Sequence, residues 1–108
     1  MKEKTIKEFS MEEEQKVNAL IVLGLPRKEA RIVVYLSILP SHKAEGRREI
    51  EIEASLRQPE VSVGLKGLVK RGFVESLTLV KDLDEIGLAL YEAKNARLIK
   101  AAKLIGAI

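Results

Sequence analysis

Arg57, Gln58, Ser62, Lys66 and Lys70 are the residues of this chain whose types and spacing best fit a chemistry. Glutamine offers a paired donor and acceptor that matches an adenine edge. Serine bonds a base or a phosphate, and arginine and lysine neutralise phosphate oxygens. Arg47 and Arg48 lie a short way upstream, with Lys43 before them, where contacts to a phosphate backbone are common. Val63 has the shape to meet a thymine methyl group or to pack on a partner. Against this reading, Glu49, Glu51, Glu53 and Glu60 repel phosphate unless they are paired or turned away.

These side chains need a helix to present them. Pro59 lacks the amide hydrogen that a first helical position leaves unused, and its ring holds φ near the helical value, so it opens a helix readily. Val61, Leu65, Leu68 and Val69 then recur at helical spacing as one apolar stripe, with Ser62, Val63, Lys66 and Lys70 opposite. A short segment and a tight turn precede it, the layout of a helix-turn-helix. Glu49-Ile50-Glu51-Ile52-Glu53 alternates with period two, a strand pattern, but the turn and the proline-led helix after it favour a short helix.

Elsewhere, Ser10 with Glu13 is a capping box that predicts a helix from about Met11 to Leu23, stopped at Gly24. A second helix is expected from Pro26 to Pro40, with a polar loop over 40–47. Residues 73–80 read as extended. Asp82 with Glu85 opens a helical stretch toward Ile108, with an expected break at Gly87. The motif around Leu23-Gly24-Leu25, Glu29 and Ala30 is echoed around Ile86-Gly87-Leu88, Glu92 and Ala93 at a constant offset of 63 residues. This is either a second copy of the first helical pair or a chance likeness of amphipathic helices; two units make no solenoid.

Composition bounds the rest. A chain of 108 residues with 46% hydrophobic and 32% charged residues is a globular domain with room for an appendage. The absence of cysteine removes disulfides, thiol nucleophiles and thiolate metal sites, and suits a reducing interior. The charged stretch Met1 to Gln15 has no apolar signal core, and no apolar run is long enough to span a bilayer, so a cytoplasmic protein without membrane contact is expected. His42 is the lone histidine, read as a surface residue, and Asp82 and Asp84 as helix caps; no metal, cofactor or catalytic residue is expected. Net charge is +3, and its distribution is uneven: residues 73–93 sum to −4, whereas 94–108 hold Lys94, Arg97, Lys100 and Lys103 with no acid. Basic residues at a helix end also suit the negative pole of its dipole.

At Leu23-Gly24-Leu25 with Glu29-Ala30, at Arg48-Glu49-Ile50 through Leu56-Arg57-Gln58-Pro59-Glu60-Val61-Ser62, and at Leu68-Val69-Lys70-Arg71-Gly72-Phe73-Val74, the sequence resembles the archaeal winged-helix transcriptional regulators, the broad group with TrmB-like and MarR-like members. The resemblance covers roughly residues 17–75. It implies a homodimer on double-stranded DNA at a palindromic site, with Ser62, Lys66 and the Arg57-Gln58 turn facing the groove, and leaves any effector ligand unknown. One departure stands out: residues 75–81 are too few for two paired strands and a turn, so the wing is expected to be absent or reduced to one strand.

The expected architecture is mainly α (α+β). A winged helix-turn-helix-like DNA-binding domain occupies 1–79, and a C-terminal helical dimerisation segment occupies 80–108. Tyr91, Leu98, Ala102 and Ile105 share a helical face, with Ile99 at its margin, and form the expected dimer seam. The expected function is sequence-specific DNA binding in transcription regulation. Two alternatives are a winged-helix protein-interaction module and a chromatin-associated protein that binds DNA without sequence preference.

Overall fold

The computed structural model describes residues 9–108, so the charged N-terminal stretch lies partly outside the described residues. Helices α1 (Met11–Val22), α2 (Arg27–Ile38), α3 (Arg47–Glu53) and α4 (Gln58–Lys70) come first. Strands β1 (Val74–Glu75) and β2 (Thr78–Leu79) come next, then α5 (Leu83–Lys94) and α6 (Ala96–Leu104).

Helix α1 begins where the capping box places it: Ser10 Oγ accepts from the Glu13 amide at 3.1 Å, and Glu13 returns the bond to the Ser10 amide at 2.9 Å. Four helices end alike, with a residue at positive φ and two bonds that cap stray carbonyls; after α6 the Gly106 (φ +76°) and Ala107 amides reach the Lys103 and Ala102 oxygens. After α1 the Gly24 and Leu25 amides reach Ile21 and Leu20 oxygens, with Gly24 at φ +116°. After α4 Gly72 (φ +81°) and Phe73 reach Val69 and Leu68. After α3 the left-handed residue is Ser55, φ +56°, whose stop makes the tight turn into α4. Glu49–Glu53 is thus helical despite its alternation. Ile50 is fully buried, while Glu49, Ile52 and Glu53 lie at the rim.

Helix α2 is the centre. Every residue from Glu29 to Leu36 is buried, because α1, α3, α4, β2 and α5 all pack on it. The close approach of α4 is made through Gly64 and Gly67: a Cβ on Gly64 would stand 2.7 Å from Ile32 Cδ1, and one on Gly67 would collide with the Glu29 carboxylate. Two charges are buried with α2. Glu29 meets Arg71 Nε at 2.8 Å. Arg31 donates through Nε to the Ala54 carbonyl at 2.7 Å, bonds Glu14, and stacks 4.4 Å from the Phe9 ring centroid.

Four expectations need correction here. First, residues 74–79 do form two paired strands, Val74↔Leu79 and Glu75↔Thr78. A two-residue turn suffices because Ser76 takes a left-handed φ of +58°. The segment 42–44 adds to the other edge of β2, with Leu79 N donating to His42 O and Ala44 N to Leu77 O. Second, α4 starts one residue earlier, at Gln58, which leaves Pro59 second in the helix. Third, Val69 is 48% exposed and does not belong to the buried stripe; Gly64 does, since α4 leans on α2 through its glycines and rotates Val69 outward. Fourth, the break in the last helical stretch falls at Asn95, not Gly87.

The internal echo has no structural counterpart. Gly24 ends a helix, whereas Gly87 is inside one, and Ala30 is buried where Ala93 is exposed. The chain is mainly helical with one small antiparallel sheet. No helix of the described residues is long and apolar enough to cross a membrane. With extents of 64 × 27 × 25 Å the molecule is elongated; its radius of gyration, 15.7 Å, exceeds the ~13 Å of a compact domain this size.

Candidate nucleic-acid interface

The segregation of α4 decides what it presents. Val61, Gly64, Leu65 and Leu68 are buried. Pro59, Val63, Lys66, Val69 and Lys70 are exposed, with Ser62 half-exposed among them. Among the described contacts, α4 packs on α2, α3 and β1, and its other side is open to solvent. Its one acid, Glu60, accepts the Arg57 amide hydrogen at 2.9 Å and so is engaged at the helix start. The outward face from Ser62 to Lys70 therefore carries two lysines and no carboxylate.

Arg47, Ser62 and Lys66 line one concavity of about 490 Å³ between α3, α4 and the hairpin, together with Leu65, Val69, Ser76 and Leu77. Two cations and two hydroxyls around an apolar floor can seat a phosphodiester: the cations balance its charge and the hydroxyls bond its oxygens. Arg48, Arg57, Gln58 and Lys70 do not line this hollow. Arg57 and Gln58 stand exposed at the opening of α4, Lys70 is exposed at its end, and Arg48 is exposed beside Arg47 on α3.

Sequence reasoning missed Ser76. It reaches the hollow only because the hairpin folds back over α4, and a Ser-Leu turn carries no recognised hairpin signature. It also left open where the nearby glutamates point. Glu49 is tied inward, accepting the Tyr35 hydroxyl through one oxygen and the Glu45 amide at 2.7 Å through the other. Burial, with Glu49 close by, holds the Tyr35 phenol well above its ordinary range, so it stays a donor. Glu51 and Glu53 are half-buried.

The other expected site residues lie on α5, on α6 and just after it. Tyr91 is 52% and Leu98 70% exposed, Ile105 is 80% exposed, and Ala102 is half-buried. His42 is exposed, with Nδ1 3.3 Å from the Leu36 oxygen. No grouping of three or more His, Cys, Asp or Glu that could hold a metal occurs among the described residues. A second hollow of about 720 Å³ is lined by Leu20, Leu23, Ile38, Leu79, Leu83 and Leu88 together with Ser37, His42, Asp82 and Asp84; Ser37 Oγ donates to the Val34 carbonyl at 2.7 Å, and His42 Nδ1 stands against the Leu36 oxygen.

No protein-family model, curated protein or solved structure matches the chain.

Proposed function

We propose that this protein binds double-stranded DNA through α4 and acts, as a homodimer, in transcription regulation. In this reading the fold is winged-helix-like, of the kind seen in the archaeal regulators the sequence resembles, and it performs no catalysis. The observation that carries it is the face of α4 itself: solvent-open, bearing Ser62, Lys66 and Lys70 without an acid, and continued by Arg47 across a shared hollow. Lys66, Lys70, Arg47 and Arg48 contact phosphates, and Gln58 and Ser62 contact base edges near the helix start. The hairpin has a two-residue turn and a serine at its tip, so it supports a backbone contact and has no reach into the minor groove.

A second reading, a protein-interaction module, is favoured by Val63 and Val69, 57% and 48% exposed on that same face. Fluorescence anisotropy on random and genomic duplexes, titrated with salt, tests both. DNA binding through phosphates gives an affinity that falls steeply as salt rises. A preferred genomic sequence supports regulation, and equal affinity for all duplexes makes the protein a packaging factor. No binding at low salt overturns the DNA reading and leaves the interaction module.

A further inference from the structure

The start of α4 presents carbon where its end presents charge. Pro59 and Val63 stand one turn apart on the outward side, both exposed, Val63 at 57%. Lys66 and Lys70 continue that side toward the helix end, while Val61, Gly64, Leu65 and Leu68 take the buried one. Pro59 is explained by the helix start. Val63 is not explained by the fold. It lies outside the core, and a β-branched residue at an exposed helical position gains the helix nothing over alanine. Val69 sits apart from it, beside the hollow shared with Arg47 and Ser76. The apolar patch is therefore two side chains, bordered by Ser62 and Lys66. That is far less than the roughly 800 Å² a protein partner covers on each side.

We propose that Pro59 and Val63 receive the C5-methyl group of a pyrimidine in the major groove, so that α4 selects duplexes bearing a methyl at that position. The proposal rests on the DNA reading above and adds an apolar contact to its polar base readers. Base edges in the major groove offer nitrogen and oxygen donors and acceptors, and their one apolar substituent is the methyl on C5. The opening residues of a reading helix are the ones that meet base edges. An apolar pair placed there has that methyl as its match. The charge around the pair agrees, because Lys66 and Lys70 on the same side suit a polyanion. Lysine is, by contrast, depleted where proteins meet proteins. Thymine carries the methyl, and so does 5-methylcytosine; uracil and cytosine lack it.

The test titrates the full chain against its tightest duplex made with thymine, and again with uracil, which pairs identically and lacks only the methyl. The uracil duplex is expected to bind about fourfold more weakly for each methyl contacted, the worth of one buried carbon. Val63→Ser is expected to weaken binding to the thymine duplex by a similar factor and to bind both duplexes alike. Its unfolding midpoint is expected to stay close to the parent's, since Val63 is exposed and serine matches valine as a helix former. Lys66→Ala is expected to bind both duplexes more weakly and to keep the parent's thymine-to-uracil ratio. A duplex with 5-methylcytosine in place of cytosine separates the two sources of the methyl: a gain there larger than the loss on uracil makes methylated cytosine the partner, and a smaller one makes it thymine. Two outcomes would overturn the proposal while leaving DNA binding in place: equal affinity of the parent for all of these duplexes, or a Val63→Ser chain that still separates thymine from uracil as the parent does. Binding to no duplex at low salt would overturn the DNA reading and this proposal with it.

Discussion

Arg71 Nε stands 2.8 Å from Glu29 Oε1, and Gly67 lies directly against that carboxylate. The Glu29 side chain is 7% exposed and the Arg71 side chain 39%. The pair thus closes the α2–α4 contact from its solvent edge, and α4 holds its angle on the core by a bond that a side chain at Gly67 would displace.

Gly67→Ala is therefore expected to destabilise the protein although alanine is the better helix former. The helical gain is about 1 kcal/mol, and overpacking a close contact costs about 1–3 kcal/mol. Expelling Glu29 from its buried partner adds to that cost, so a net loss of about 1–2 kcal/mol is expected. Thermal unfolding checks the sign, because an unchanged or raised Tm would show that Glu29 moves aside freely.

Arg31 ties three parts together: Ala54 at the end of α3, Glu14 on α1, and the Phe9 ring. Arg31→Met keeps much of the volume and strands the Ala54 carbonyl. A loss of about 2–3 kcal/mol is expected, by the worth of a charge-assisted hydrogen bond together with a buried acceptor left unmade. Arg31→Lys is not expected to restore it, since an ammonium cannot reproduce the planar fork. Denaturant midpoints of the three proteins measure this directly.

The Tyr35 phenol is raised by burial and by Glu49. A group that holds its proton more tightly when folded contributes stability that is complete below its unfolded pKa, ~10, and is lost as pH climbs above it. Unfolding midpoints should therefore fall on the alkaline side of pH 10. Tyr35→Phe should cost about 1 kcal/mol at neutral pH and flatten that alkaline fall. A variant that declines as steeply as the parent would place the sensitivity elsewhere.

If α4 reads DNA, Lys66→Ala and Gln58→Ala should fail differently. Lys66→Ala should weaken binding to all duplexes alike and reduce the salt slope by about 1. Gln58→Ala should cost about 1–3 kcal/mol on the preferred sequence and relax selection at one base pair. Binding measured on a panel of single-base variants separates the two; uniform losses after the Gln58 change would remove it as a reader.

Much of the fold was legible along the chain because it depends on near neighbours. The Ser10 capping box and the stop at Gly24 arise within a few residues, and each lies where local chemistry places it, while α4 begins one residue ahead of the proline that marks it. The stripe of α4 was right at Val61, Leu65 and Leu68 and wrong at Val69. Periodicity gives the spacing of a face, but its rotation was set by two glycines meeting Ile32 and Glu29 on another helix. The hairpin was missed because a serine at positive φ is an uncommon choice, sustained by bonds from 42–44 across β2.

What the sequence alone determined is where helices α1 to α4 form and which residue types α4 carries, since hydrogen bonds and side-chain periodicity within one segment decide those. Tertiary structure decided which groups meet. It buried Glu29 and Arg31 with partners far along the chain, turned Glu49 inward, brought Ser76 to Arg47 and Lys66, and left α6 uncovered. Each of these pairings joins residues distant in sequence, and no local spacing encodes it; it arises from how the whole chain closes around α2.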